Sequence, residues 1–84
     1  MSVDVLGVVG KARVLADLLA SLQEQEYRLV LLKDANGANE SAVVPGEQFT
    51  YGERLTELRN AQQRLEDASS PEVLSEVRRL QDGI

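Results

Sequence analysis

Apolar residues recur along this chain at intervals of three and four on both sides of one polar stretch. Leu15, Leu18, Leu19, Leu22 and Leu29 come before it, and Leu55, Leu58 and Leu65 after it. Between them, Asp34 to Gln48 is rich in Gly, Asn, Ser and Pro. Residues at i, i+3, i+4 and i+7 share one face of an α-helix. The pattern therefore predicts an all-α fold built on a helical hairpin. A long helix spans about 11–35, a loop about 36–49 and a second helix about 51–68, followed by a short C-terminal helix over about 71–82. Residues 1–84 make a single small helical domain.

Local signals set the boundaries. Gly costs roughly 1 kcal/mol inside a helix relative to Ala, so Gly7 and Gly10 predict a firm helix start only beyond Gly10. A weaker start near Ser2 is the other option, since Val3, Val5, Leu6, Val8 and Val9 are apolar. Asn36-Gly37 suits a left-handed cap at the end of the first helix. Thr50-Tyr51-Gly52-Glu53 matches a capping box, in which Thr50 and Glu53 satisfy each other's backbone N–H. Phe49 is placed to pack on the Arg54 stem or on Leu55. Ser70-Pro71-Glu72 restarts a helix, with Ser70 as N-cap, Pro71 in the first position and Glu72 at the positive end of the dipole. Val73, Val77, Leu80 and Ile84 form its stripe, with Leu74 beside it.

Three residues disturb the pattern. Glu26 and Lys33 fall on the apolar face of the first helix, and Gln62 falls in the middle of the second stripe of Tyr51, Leu55, Leu58 and Leu65. The run from Tyr27 to Leu32 is also apolar enough to form a strand. That leaves an α+β alternative, a β-hairpin over about 27–49 turning at Asn36-Gly37. Pro45 and Gly46 weigh against its second strand.

The chemistry available is narrow. The chain has no Cys and no His, which removes thiolate chemistry, the commonest general base and the commonest metal ligand. Glu53/Glu57 and Glu72/Glu76 are like-charged pairs at i,i+4 and read as solvated faces. Gly7 to Lys11 lacks the spacing of a phosphate loop, and Asp34 to Glu40 lacks the spacing of a calcium loop. We therefore expect no enzyme activity, catalytic residue, metal site or cofactor.

Charge and hydropathy narrow the partners. Nine basic residues against fourteen acidic give a net charge of −5, which opposes binding to a phosphate backbone. Arg54, Arg59 and Arg64 recur every fifth residue, a rotation of about 140° each, so they line no common face. Nucleic acid is not an expected partner. No apolar run approaches the roughly 18 residues a membrane span requires, and the first ten residues lack a basic n-region. A cytoplasmic protein without membrane contact is expected.

What remains is a surplus of apolar surface. At about 25 cal/mol per Å² of burial, against roughly 1–2 kcal/mol of entropy per ordered residue, a lone hairpin is weak. Val3, Val5, Leu6, Val9, Leu31 and Leu32 exceed what it can hide, so a second subunit or another protein's helices are expected as partner, with a homo-oligomer as the working form. The candidate interaction surface is Leu15, Leu18, Leu22, Leu29, Leu32, Leu55, Leu58, Leu65, Val77 and Leu80. Within the chain, the first stripe is expected to pack on Leu55, Leu58 and Leu65, with Val73, Val77 and Leu80 closing one end. The function expected is a non-enzymatic interaction or assembly module. The alternative is a small all-helical enzyme or binder holding an anionic metabolite among Arg13, Arg28, Lys33 and Arg54.

Overall fold

The computed structural model describes residues 3–82, with side-chain surroundings given from residue 7 onward. Ile84 and the side chains of Val3, Val5 and Leu6 lie outside what is described. Three helices follow in order: α1 (Val3–Ala35), α2 (Tyr51–Asp67) and α3 (Pro71–Asp82). The all-α hairpin with a short third helix is the fold of this chain.

α1 begins eight residues before the expected start at about residue 11 and runs for 33 residues. Gly7 and Gly10 do not break it. Both are exposed, with open space around their α-carbons, so they cost helix propensity but no packing. Val8 packs against the cluster around Ala12 and Leu15, and tertiary contact of this kind outweighs a local preference of about 1 kcal/mol.

The far end of α1 closes in a Schellman arrangement. Ala38 N–H donates to the Lys33 carbonyl at 2.9 Å and Gly37 N–H to that of Asp34 at 3.1 Å. Gly37 sits at φ +60°, the left-handed conformation this cap requires. Asn36-Gly37 therefore ends a helix instead of turning a hairpin, and the β alternative over 27–49 is overturned. Residues 27–35 are helical, and exposure alternates with helical period: Leu29 and Val30 are half-buried, while Tyr27, Leu31 and Leu32 are exposed. The loop holds one isolated antiparallel bridge, Val43 to Thr50. Inside it, Val44-Pro45-Gly46-Glu47 makes a turn closed by Glu47 N–H to the Val44 carbonyl at 3.0 Å. Gly46 at φ +79° and Pro45 before it fit a type II turn.

The start of α2 has its backbone donors accounted for. Tyr51 N–H donates to the Ala42 carbonyl and Gly52 N–H to that of Glu40, both at 2.9 Å. Glu53 N–H donates to Thr50 Oγ1, and Thr50 N–H to Glu53 Oε1, both at 3.1 Å. The capping box forms as its sequence implies, and loop carbonyls cover the two donors it does not reach. The Arg54 guanidinium lies 4.7 Å from the centroid of the Phe49 ring. α3 starts on Ser70, whose Oγ accepts from Val73 N–H at 3.3 Å.

α1 is the common wall against which both other helices pack. Near its middle, Ala12, Leu15 and Leu19 are buried with Val73 and Val77 of α3, and Leu65, Leu74 and Leu80 pack around them. α3 therefore does more than close an end: it supplies two of the five buried residues of the main core. A second packing centre lies at the loop end, where Val44, Tyr51 and Leu55 are buried, the last two at 1% exposure. The Tyr51 hydroxyl accepts from Asn36 Nδ2 at 3.2 Å, tying the cap of α1 to the first turn of α2. The molecule measures 53 × 26 × 18 Å, with a radius of gyration of 16.2 Å. A compact chain of this length has about 12 Å.

Candidate interaction surface

The ten residues singled out from sequence divide by burial. Leu15, Leu55 and Val77 are buried within the chain, and Leu22, Leu29, Leu58, Leu65 and Leu80 are half-buried against it. Leu18 and Leu32 are exposed, at 47% and 41%. α2 and α3 cover the face of α1 that carries Val8, Ala12, Leu15, Leu19 and Glu26. Leu18 and Leu32 belong to a different face, roughly 100° around the helix.

That second face is open to solvent from Gly7 to Ser21, while Gln25, Arg28 and Leu32 at its far end border the cleft against the loop and α2. Gly7, Lys11, Val14, Leu18, Ser21, Gln25, Arg28 and Leu32 are spaced alternately by four and three residues, and every one is exposed. This is the spacing of a heptad seam, the strip a helix presents to a partner helix. Its apolar part is strongest where Val14 (61% exposed) and Leu18 stand side by side. With Gly10, Lys11 and Leu15 they line a shallow depression of 370 Å³ with almost no polar surface. Val14 was missed in the sequence reading, because it lies off the arc of leucines that defined the first stripe. The four–three spacing through Val14 and Leu18 was the signal that could have found it.

Between α1 and α2, the residues that interrupt the stripes meet each other. Glu26 Oε2 accepts from Arg59 Nε and Glu26 Oε1 from Gln62 Nε2, both at 2.9 Å. The Arg59 hydrogen bond, then that of Gln62, holds the Glu26 carboxyl below the usual carboxylate range. Lys33 stays partly covered, with its ammonium 3.6 Å from Asp34.

A cleft of 520 Å³ lies between the second half of α1, the loop and α2. Leu29, Leu32, Val44, Pro45 and Leu58 form its apolar wall, and Arg28 and Arg54 border it. Arg54 pairs with Glu47 and Glu57, and Arg28 pairs with Glu24 at 2.6 Å. Arg13 lies far along α1, beside Leu80 and Gln81 of α3. The four cations considered for an anionic ligand thus do not converge, and the two that share a cleft already hold carboxylates. Among the described residues, no cluster of His, Cys, Asp and Glu is arranged to hold a metal ion. No described helix is long and apolar enough to cross a membrane.

Compared with known proteins, the chain matches no family model, no curated protein and no solved structure.

Proposed function

We propose that the protein is a non-enzymatic interaction module that works by packing the uncovered seam of α1 against another helix. The observation that carries this reading is the run of exposed seam positions from Gly7 to Leu32 on a helix whose other face is already used. Val14, Leu18 and Leu32 are the large apolar residues of this run, and exposed apolar positions at heptad spacing are how helices recognise helices. The elongated shape supports the reading, because α1 offers a length of surface that its own α2 and α3 leave open. The ion pairs of the cleft arginines weigh against an anion-binding site, since Arg28 and Arg54 already hold carboxylates. The cytoplasmic setting and the homo-oligomeric form expected from the sequence belong to this reading as well.

The test is the native size of the protein in extracts of the cells that make it. The wild-type chain is expected in an assembly well above its 9.2 kDa mass. Leu18→Lys, at an exposed position, is expected to leave helicity by circular dichroism unchanged and to release the free chain. Migration of the wild type as a free 9.2 kDa species would overturn the reading.

A further inference from the structure

We propose that Asn36 is a site of spontaneous covalent modification: it deamidates through a cyclic imide with the Gly37 backbone nitrogen, and the cap of α1 controls the rate.

The chain singles out one asparagine. Of Asn36, Asn39 and Asn60, only Asn36 precedes a glycine. Gly37 has no β-carbon to crowd its backbone nitrogen as it approaches the neighbouring side chain. Asn39 precedes the bulkier Glu40, and its Oδ1 already accepts from Ser41 N–H at 2.9 Å. Asn60 lies inside α2, where the helical ladder holds the following N–H against the preceding turn. Asn36 and Gly37 are both exposed at a helix end, so water reaches them.

The reaction balances with water alone. The Gly37 nitrogen gives up its proton and bonds to Cγ of Asn36, and the Cγ–Nδ2 bond breaks. Nδ2 leaves with that proton as ammonia, which closes the imide ring. Water then adds to either ring carbonyl and breaks its bond to the Gly37 nitrogen. Attack at Cγ leaves aspartate; attack at the main-chain carbonyl leaves isoaspartate. Either product carries a new negative charge.

The closed cap withholds both reacting groups. Gly37 N–H donates to the Asp34 carbonyl at 3.1 Å, and Asn36 Nδ2 donates to the Tyr51 hydroxyl at 3.2 Å. Attack therefore waits for the last turn of α1 to open, a local excursion at an exposed end that costs less than unfolding the chain. The product does not close in the same way. Isoaspartate routes the main chain through the β-carbon of residue 36. The added atom shifts the Gly37 and Ala38 N–H groups away from the Asp34 and Lys33 carbonyls they now reach. Aspartate keeps the ordinary main chain and accepts from the Tyr51 hydroxyl, but it sets a second negative charge near Asp34 at the negative end of the α1 dipole. Modification thus loosens the tie between α1 and the first turn of α2.

The test is to hold purified protein at mildly alkaline pH, folded or in denaturing urea, then map its peptides by mass spectrometry and assay isoaspartate. In the folded chain, aspartate and isoaspartate are expected at position 36, with Asn39 and Asn60 intact. The rate at Asn36 is expected to be several-fold higher in urea. Tyr51→Phe keeps the buried ring and removes the hydroxyl that holds Nδ2. It is expected to speed modification of the folded chain several-fold, with helicity by circular dichroism unchanged. A folded chain that stays intact while the urea sample reacts would overturn Asn36 as a site in the native protein. Equal rates with and without urea would overturn control by the cap, and that comparison needs no variant. Asn39 or Asn60 reacting as fast as Asn36 in the folded chain would overturn the assignment.

Discussion

Glu26 shows what a polar residue on an apolar face accomplishes in this chain. It stands among leucines and receives hydrogen bonds from Arg59 and Gln62 of the neighbouring helix. A charge at a helix–helix seam costs desolvation unless it is paired, and a paired one fixes which residues stand opposite. Because the Glu26 carboxyl titrates below its ordinary value in the folded protein, it contributes stability that is present above its unfolded pKa. That contribution is lost as pH falls through the lower, folded value. Glu26→Gln is expected to reduce stability at neutral pH, and the gap from wild type is expected to close as pH drops below about 4.3. Urea titrations at pH 7 and pH 3, in which the gap stayed constant, would contradict this. The sequence marked Glu26 and Gln62 as separate conflicts, one on each stripe. Their meeting was not legible, because the register between two helices is fixed by tertiary packing and each stripe speaks only for its own helix.

At the scale of elements, legibility followed the range of the interaction. The Thr50–Glu53 box, the Ser70-Pro71 restart and the Asn36-Gly37 cap depend on residues within a few positions of each other, and all three form as their sequences imply. The start of α1 depended on a contact between Val8 and a cluster completed by Val73 and Val77, which no local rule contains. Gly52 joins the two ranges. It occupies the first turn of α2, where Ala would ordinarily favour the helix by about 1 kcal/mol. Yet a β-carbon there would lie 3.1 Å from the Glu40 carbonyl oxygen and 3.2 Å from the Glu40 β-carbon. That same carbonyl accepts the Gly52 N–H, so it cannot withdraw without loosening the cap. Gly52→Ala is expected to lower stability by about 1 kcal/mol, in the range of modest overpacking. A higher urea midpoint in the variant would show that the loop yields.

For the whole molecule, two adjacent leucines divide the roles of α1. Leu19 is 3% exposed in the main core, while Leu18 is 47% exposed on the seam. Leu19→Ala is expected to cost about 2–5 kcal/mol in unfolding, as for other buried leucines. Leu18→Ser is expected to leave chain unfolding under conditions of free monomer within about 0.5 kcal/mol, while abolishing assembly. Denaturant titration of both variants at low concentration checks the contrast; equal losses would mean that Leu18 belongs to the core. Surplus apolar surface was legible from the leucine count. Its position was not, because a helical wheel does not say which side of α1 the other two helices take. The two packing centres on that helix carry a further consequence. The cluster at Val44, Tyr51 and Leu55 and the cluster at Ala12, Leu15, Leu19, Val73 and Val77 share no buried residue. Substitutions in separate clusters with no common partner combine additively. Each packing centre can therefore accumulate changes without regard to the other, and the loop end can be redesigned while the cluster around Ala12 and Val73 keeps its sequence.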